Sequence, residues 1–271
     1  HGPGTGRGPP GRSLSGGALP GVPDPETRPG RAVADMFSAI ASTYDFPNHL
    51  LSLNVDRRWR RITVSALAPR RGDRVLDLCT GTGDLAFSLM GRSEAHVVGA
   101  DFSAGMLAVA RRKARERGQP FPLVQADALA LPFSDASFEG AMVAFGVRNF
   151  EDLDAGLREM ARVLKPGGRL AILEFSSPGR SLFGALYRFY FHRVLPRAGR
   201  LVSGADGPYS YLPATVEGFP SPEALVGRFA AQGLQVLEQR PLTGGIATLH
   251  LMEKPNSAIA FARRGAACCA L

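Results

Sequence analysis

Cysteine is scarce in this chain, with three in 271 residues, two of them adjacent at the C-terminal end and far from Cys79. So few thiols cannot build a disulfide framework, which leaves the fold to its apolar core and points to a reducing compartment. Long hydrophobic runs are missing as well. None approaches the roughly 18 residues that span a bilayer, so the chain is expected to be soluble or to lie on a membrane surface. His49, His96, His192 and His250 stand at no metal-ligand spacing and no cysteine pair accompanies them, so no metal is expected. No nucleic-acid-binding module with its aromatic signature is present, and nucleic acid is not expected as a partner.

What is present suffices for a sizeable core: 45% of the residues are hydrophobic, and the length suits one large domain with ragged ends. The formal net charge of +8 comes from arginine in excess of lysine, scattered rather than blocked. Two readings stay open. The charge marks either a solvated basic surface or a face for an anionic partner, for which a membrane surface suits better than nucleic acid.

Residues 1–30 carry Gly, Pro, Arg and Ser without an apolar period and read as a disordered leader or a foreign remnant, with no secretory h-region. Residues 31–70 predict a helical cap. Val33, Met36, Phe37, Ile40 and Tyr44 share one helical face; after Pro47 a second segment through Leu50, Leu51 and Leu53 reaches the basic run Arg57-Arg58-Trp59-Arg60-Arg61; a third through Ile62, Val64 and Leu67 stops at Pro69.

Alternation then begins. Strands are expected at Arg74 to Leu78, His96 to Ala100, Leu123 to Ala126, Phe138 to Phe145 and Arg169 to Phe175, the last entered from the turn Lys165-Pro166-Gly167-Gly168. Helices are expected at Asp84 to Gly91, Ala104 to Arg117 and Leu153 to Leu164. Such alternation implies an α/β fold with a parallel sheet covered on both faces. An insertion at 179–217, rich in aromatic, leucine and arginine residues, interrupts the rhythm before helix Ser221 to Gln232 and strands Leu234 to Arg240 and Ile246 to Met252. The short link between those two strands makes them antiparallel neighbours. Residues 255–271 form a flexible tail whose last four, Cys268-Cys269-Ala270-Leu271, match a prenylation pattern in form; a chance match is the simpler reading.

The chain is organised around Val75-Leu76-Asp77-Leu78-Cys79-Thr80-Gly81-Thr82-Gly83-Asp84-Leu85, a strand running through a Gly-rich turn into a helix. Gly81, Gly83 and Ala86 also satisfy a dinucleotide fingerprint, so the glycines alone do not choose between adenosine cofactors. Asp77 and Asp84 would repel a pyrophosphate, and no lysine lies nearby in the sequence to offset them. A cofactor carrying positive charge and no phosphate, such as S-adenosylmethionine, suits that setting. Asp101 at the second strand end can accept from both ribose hydroxyls, and Asp127, followed by Ala128, can accept from the adenine amino group. Singly, each aspartate could be a helix cap or turn former. Together they stand at successive strand ends, where open α/β sheets bind ligands.

The chain from about Val33 to Glu253 resembles the class I methyltransferases, and among them the quinone-biosynthesis C-methyltransferases. The matches lie in Tyr44-Asp45 with Asn48, Phe145-Gly146-Val147-Arg148-Asn149, Leu173-Glu174-Phe175-Ser176, Tyr209-Ser210-Tyr211-Leu212-Pro213 and Leu242-Thr243-Gly244-Gly245-Ile246. The resemblance implies a Rossmann-like, seven-stranded, mostly parallel sheet with the last strand antiparallel, and S-adenosylmethionine as cofactor with S-adenosylhomocysteine as product. It places Thr82, Asp101, Asp127 and Ala128 at the cofactor, with the residue before Phe145; some members have serine there, and this chain has Ala144. Asp77, Gly81, Gly83 and Phe102 complete the expected cofactor set. Pro47 departs from the pattern, which has leucine or methionine before Asn48.

The implied reaction is methylation of a ring carbon of demethylmenaquinol, or in some members of a ubiquinol precursor. A neutral quinone is a poor nucleophile, so the acceptor is the reduced quinol, and the enzyme must align carbon, methyl and sulfur, favour loss of a phenolic proton and exclude water. Arg148 is the candidate for the quinol oxygen, where a guanidinium stabilises phenolate; its structural alternative is a salt bridge to Glu151 or Asp152. Asn149 would orient the ring oxygen, while Tyr44 and Asp45 would close the pocket. Leu182 to Leu201 reads either as a core helix or as a lid for a polyprenyl tail, its arginines on anionic headgroups. The expected partners are thus a polyprenylated quinol and a membrane surface, in a cytoplasmic protein peripheral to the inner face; a homodimer stays open. Rival readings are a methyltransferase for a small soluble acceptor and a degenerate cofactor-binding scaffold.

Overall fold

The computed structural model describes residues 30–41, 55–176 and 215–256. Tyr44, Asp45, the expected cap segment around Leu50 to Leu53, the insertion up to residue 214, the leader and most of the tail lie outside the described residues.

Seven strands form one sheet in the order β3-β2-β1-β4-β5-β7-β6. They are β1 (Arg74–Leu78), β2 (His96–Asp101), β3 (Leu123–Gln125), β4 (Phe138–Ala144), β5 (Leu164–Phe175), β6 (Gln235–Leu242) and β7 (Ala247–Glu253). β7 runs antiparallel to both β5 and β6, and the other pairings are parallel. The expected antiparallel last strand is therefore present, slotted between β5 and β6. Among the described residues the helices are α1 (Gly30–Ile40), α2 (Val55–Leu67), α3 (Asp84–Met90), α4 (Ala104–Glu116), α5 (Leu153–Val163) and α6 (Pro222–Ala231).

Strand residues alternate between two buried faces, which is why β1, β4 and β5 read as near-continuous apolar runs. Leu76, Leu78, Ala141, Val143, Leu170 and Ile172 pack with Leu157 and Met160 of α5 and with Leu225 and Phe229 of α6. On the opposite face Val75, Met142, Ala171 and Leu173 pack with Trp59, Val64 and Leu67 of α2 and with Leu85 and Leu89 of α3.

Two boundaries differ from the sequence expectation. The basic run and the segment through Leu67 are one helix, α2, because nothing between Arg57 and Leu67 breaks it and its buried stripe Trp59, Thr63, Val64, Leu67 holds a helical spacing. β5 starts before the Lys165-Pro166-Gly167-Gly168 turn, since Leu164 already pairs with Phe138; the turn becomes an irregularity inside the ladder.

Caps fix where the site-bearing turns leave the sheet. Ser103 accepts the N–H of Met106 at 3.2 Å to start α4, and Asp152 accepts that of Ala155 at 2.9 Å to start α5. Helix α3 has no such side chain of its own. It begins from Gly83 at φ 89°, where a Cβ would meet the Phe87 ring at 3.0 Å, and Asp77 accepts the Ala86 N–H from across the turn.

Candidate cofactor and active site

A cavity of about 310 Å³ opens at the carboxyl ends of β1, β2 and β4. The turn Cys79 to Asp84 forms its floor, Asp101 to Ser103 and Ala126 to Leu129 one side, and Ala144 to Gly146 with Asn149 the other. Cys79 and Phe145, where β1 and β4 give way to these turns, hold positive φ of 53° and 61°, strain typical of functional turns.

Asp77 lies under the turn and is 1% exposed. The Thr80 hydroxyl donates to its Oδ2 at 2.6 Å, while its buried Oδ1 has no hydrogen-bond partner. Burial pushes its carboxyl from an ordinary 3.8 up to about 7, against the opposing pull of Thr80, the Ala86 N–H and Arg60. Asp101 is also pushed up by burial, tempered by the N–H groups it accepts. Gly81 donates to its Oδ2 and Ser103 to its Oδ1, each at 2.8 Å.

These bonds bear on what the Gly-rich turn can hold. Phosphate-binding loops offer unengaged N–H groups to the anion. Here the Gly81 N–H is taken by Asp101 and the Gly83 N–H by the Thr80 carbonyl at 2.8 Å. Contrary to the expectation from sequence, Asp84 does have a lysine: Lys113 of α4 reaches it at 2.5 Å and donates to the Thr82 hydroxyl at 3.1 Å. The sequence hid this pair because α4 arrives only by tertiary packing. The case against a diphosphate stands on Asp77, Asp101 and the engaged amides.

Asp127 accepts the Leu129 N–H at 2.9 Å, and with buried Ala128 it closes the far wall. Phe102 lines the mouth at 38% exposure, and Ala144 presents a methyl group where a serine would bring a hydroxyl. Asn149 lines the cavity with a buried Oδ1 that lacks a partner. Arg148 is placed differently from expectation. Its guanidinium is 4% exposed and sits behind the wall, 2.9 Å from Oε1 of Glu174 in β5 rather than on Glu151 or Asp152. It also donates to the Phe145 carbonyl, so it braces the turn from Phe145 to Asn149 from the rear. Tyr44 and Asp45 lie outside the described residues.

The cap was expected to close the pocket through Tyr44 and Asp45; which of its other residues reach the cavity was not legible in the sequence. Val33, Ala34 and Phe37 of α1 line the cavity, as does Arg60 of α2. Helix α1 is held there by Ser38, whose hydroxyl bonds that of Ser103 at 2.7 Å, and by Gly105, where a Cβ would lie 2.9 Å from the Ser38 Cα. A glycine in the first turn of an otherwise good helix was the available signal for that close approach.

The model of the ubiE/COQ5 methyltransferase family matches residues 25–254. The chain belongs to that family. It is 52% identical over 221 residues to a Thermus thermophilus protein named demethylmenaquinone methyltransferase, covering 81% of this chain and 100% of the relative. A Geobacter sulfurreducens protein named ubiquinone/menaquinone biosynthesis C-methyltransferase UbiE is 47% identical over 234 residues, 84% of this chain and 90% of that one. Among solved structures, a SAM-dependent methyltransferase from Aquifex aeolicus superposes with a TM-score of 0.57 at 17% identity, covering 80% of this chain and 97% of its own, which bears on the fold alone.

This methyltransferase has a cavity that fits S-adenosylmethionine. A cation beside the unpartnered Asp77 Oδ1 would stabilise that carboxylate, and among the described residues the acidic lining formed by Asp77, Asp101, Asp127 and Glu151 meets one basic residue, Arg60, which is paired with Asp56, besides Asp84, which Lys113 neutralises. Apolar walls from Met106, Leu129 and Phe37 suit an adenine ring.

Proposed function

We propose that the chain methylates a ring carbon of demethylmenaquinol, giving menaquinol and S-adenosylhomocysteine. The observation that carries the acceptor is the full-length likeness to the Thermus thermophilus protein of that name, joined to a cavity whose acidic lining suits a cationic cofactor. S-adenosylmethionine, when bound, supplies an electrophilic methyl group.

The chain's own residues bind, orient and exclude water. Asp77 takes the cofactor's ammonium, Asp101 its ribose hydroxyls, and Asp127 with the Ala128 backbone its adenine edge. Ala144, Phe102 and the α1 residues Val33 and Phe37 enclose it. Asn149 turns its unpartnered Oδ1 to a phenolic O–H of the acceptor, which holds the ring in line with the methyl and draws the proton outward. Arg148, neutralised by Glu174, acts as a positioning residue that keeps Asn149 in place rather than as a direct partner of the quinol oxygen. Tyr44 and Asp45 of the cap close the acceptor side. With the cofactor bound, its methyl group would pass to the ring carbon as the methyl–sulfur bond breaks and S-adenosylhomocysteine leaves; the ring C–H proton would then restore the phenol, so that one proton is released overall.

The acceptor's prenyl tail partitions into a bilayer, so the enzyme works in the cytoplasm against the inner membrane face. No helix of the described residues is long and apolar enough to cross a membrane. A ubiquinol precursor is the second acceptor, favoured by the name of the Geobacter sulfurreducens relative. The test is methyl transfer to a reduced demethylmenaquinone analogue beside its oxidised form. Turnover is expected on the quinol alone; equal rates on both, or none on the quinol, overturn the reading.

A further inference from the structure

Beside the cofactor cavity, and sharing Arg60 and Asp84 with it, lies a second cleft of about 720 Å³ between α2, α3 and the C-terminal turn of α4. Its walls carry Arg57 and Arg61 from α2, Arg92 from the turn after α3, Lys113 from α4 and Arg117 just past the end of α4. Lys113 is engaged with Asp84, and Arg60 with Asp56. Among the described residues no carboxylate pairs with the side chains of Arg57, Arg61, Arg92 or Arg117. Arg117 lies over the Phe87 ring, 4.2 Å from its centroid, which fixes the guanidinium at the wall without neutralising it. Ser88 adds a buried hydroxyl with no hydrogen-bond partner.

An ordinary solvated surface interleaves cations with carboxylates. A concave wall of guanidinium groups instead matches phosphate, whose oxygens take paired N–H donors from arginine. We propose that this cleft seats the phosphate of an anionic phospholipid headgroup and so holds the neighbouring cofactor cavity against the bilayer. The proposal rests on the reading of the acceptor as a membrane-resident quinol, and it accounts for basic charge at the cavity's flank while the cavity itself is acidic.

Binding of the full chain to vesicles of phosphatidylcholine with phosphatidylglycerol, and of phosphatidylcholine alone, tests it by co-sedimentation at about 0.1 M salt, where surface attraction is still felt over about 10 Å. Each basic residue near an anionic surface is worth about fivefold in partitioning. The variant Arg57→Gln/Arg92→Gln is therefore expected to bind the anionic vesicles about 25-fold more weakly, with its thermal midpoint and its turnover of a short-tailed, soluble quinol unchanged. The pair Arg58→Gln/Arg158→Gln makes the same change of net charge at exposed residues outside the cleft and is expected to cost far less. Equal weakening by both pairs would mean diffuse charge, not a site, and overturns the proposal. So does saturable binding of inorganic pyrophosphate that is lost in the cleft variant while vesicle binding stays whole, since the cleft would then serve a soluble phosphate. Vesicle binding is read without acceptor, so a failure to methylate the quinol strikes the proposed function alone.

Discussion

The backbone N–H of Gly81 donates to Oδ2 of Asp101 at 2.8 Å, tying the turn after β1 to the end of β2 through the carboxylate assigned to the ribose. Oδ1 is tied in the same way to Ser103 at 2.8 Å, and each oxygen keeps a further lone-pair direction for a ribose hydroxyl. Asp101→Asn keeps the shape but leaves one acceptor where two are used. A hydrogen bond to a charged group is worth about 1.5–3 kcal/mol, so the dissociation constant for S-adenosylmethionine is expected to rise roughly 10- to 100-fold. Calorimetric titration checks this, and unchanged affinity would contradict the assignment.

Asp77 lends itself to a pH test. A carboxyl whose folded pKa is raised contributes stability that is full below its unfolded value near 3.8 and is lost as pH rises through about 7. The free energy at stake is on the order of 4 kcal/mol. Asp77→Asn cannot ionise, so its denaturant midpoint should match the wild type near pH 4 and exceed it near pH 8. In the wild type, binding of the cationic cofactor should strengthen from pH 6 to 7 as the carboxylate is freed; in the variant that dependence should vanish and affinity should be weaker throughout.

The buried pair Arg148–Glu174 should behave as a unit. Removing either partner strands a charge at a site 4% or 1% exposed, so Arg148→Met and Glu174→Gln are each expected to cost about 3–5 kcal/mol in urea unfolding. The double variant Arg148→Met/Glu174→Leu should cost clearly less than the sum of its single changes. Because Asn149 follows Arg148 directly, the Arg148→Met turn should also lose more in kcat than in KM for cofactor. An Arg148→Met protein of unchanged stability would refute the bracing role.

Gly105→Ala probes the α1 roof. Its Cβ would lie 2.9 Å from the Ser38 Cα, and overpacking of this kind costs about 1–3 kcal/mol. Since α1 closes the cavity but contributes little to the sheet core, the expected result is about tenfold weaker cofactor binding with only a small fall in thermal midpoint. A full loss of fold with no separate effect on affinity would argue against a roof.

Local patterning carried much of this. Strand–helix alternation placed every sheet strand to within a few residues apart from the early start of β5, and the turn before α3 with its aspartates located the cavity at the strand ends. Contacts between residues far apart in sequence were beyond that reach. Lys113 meets Asp84 across 29 positions, Glu174 meets Arg148 across 26, and Ser38 meets Ser103 across 65. Arg148 shows the consequence: its sequence neighbours Glu151 and Asp152 suggested one partner, and the parallel pairing of β4 with β5 supplied another.

The sequence by itself determined the sheet's make-up, the glycine turn and the acidic residues at its rim, because periodicity and backbone freedom are local properties. Only the tertiary structure decided how those carboxylates are spent. Packing buried Asp77 with one oxygen unpartnered, set Asp101 on the amides that a phosphate would have needed, neutralised Asp84 and drew Arg148 behind the wall, and each outcome depends on desolvation and on groups brought together from distant parts of the chain.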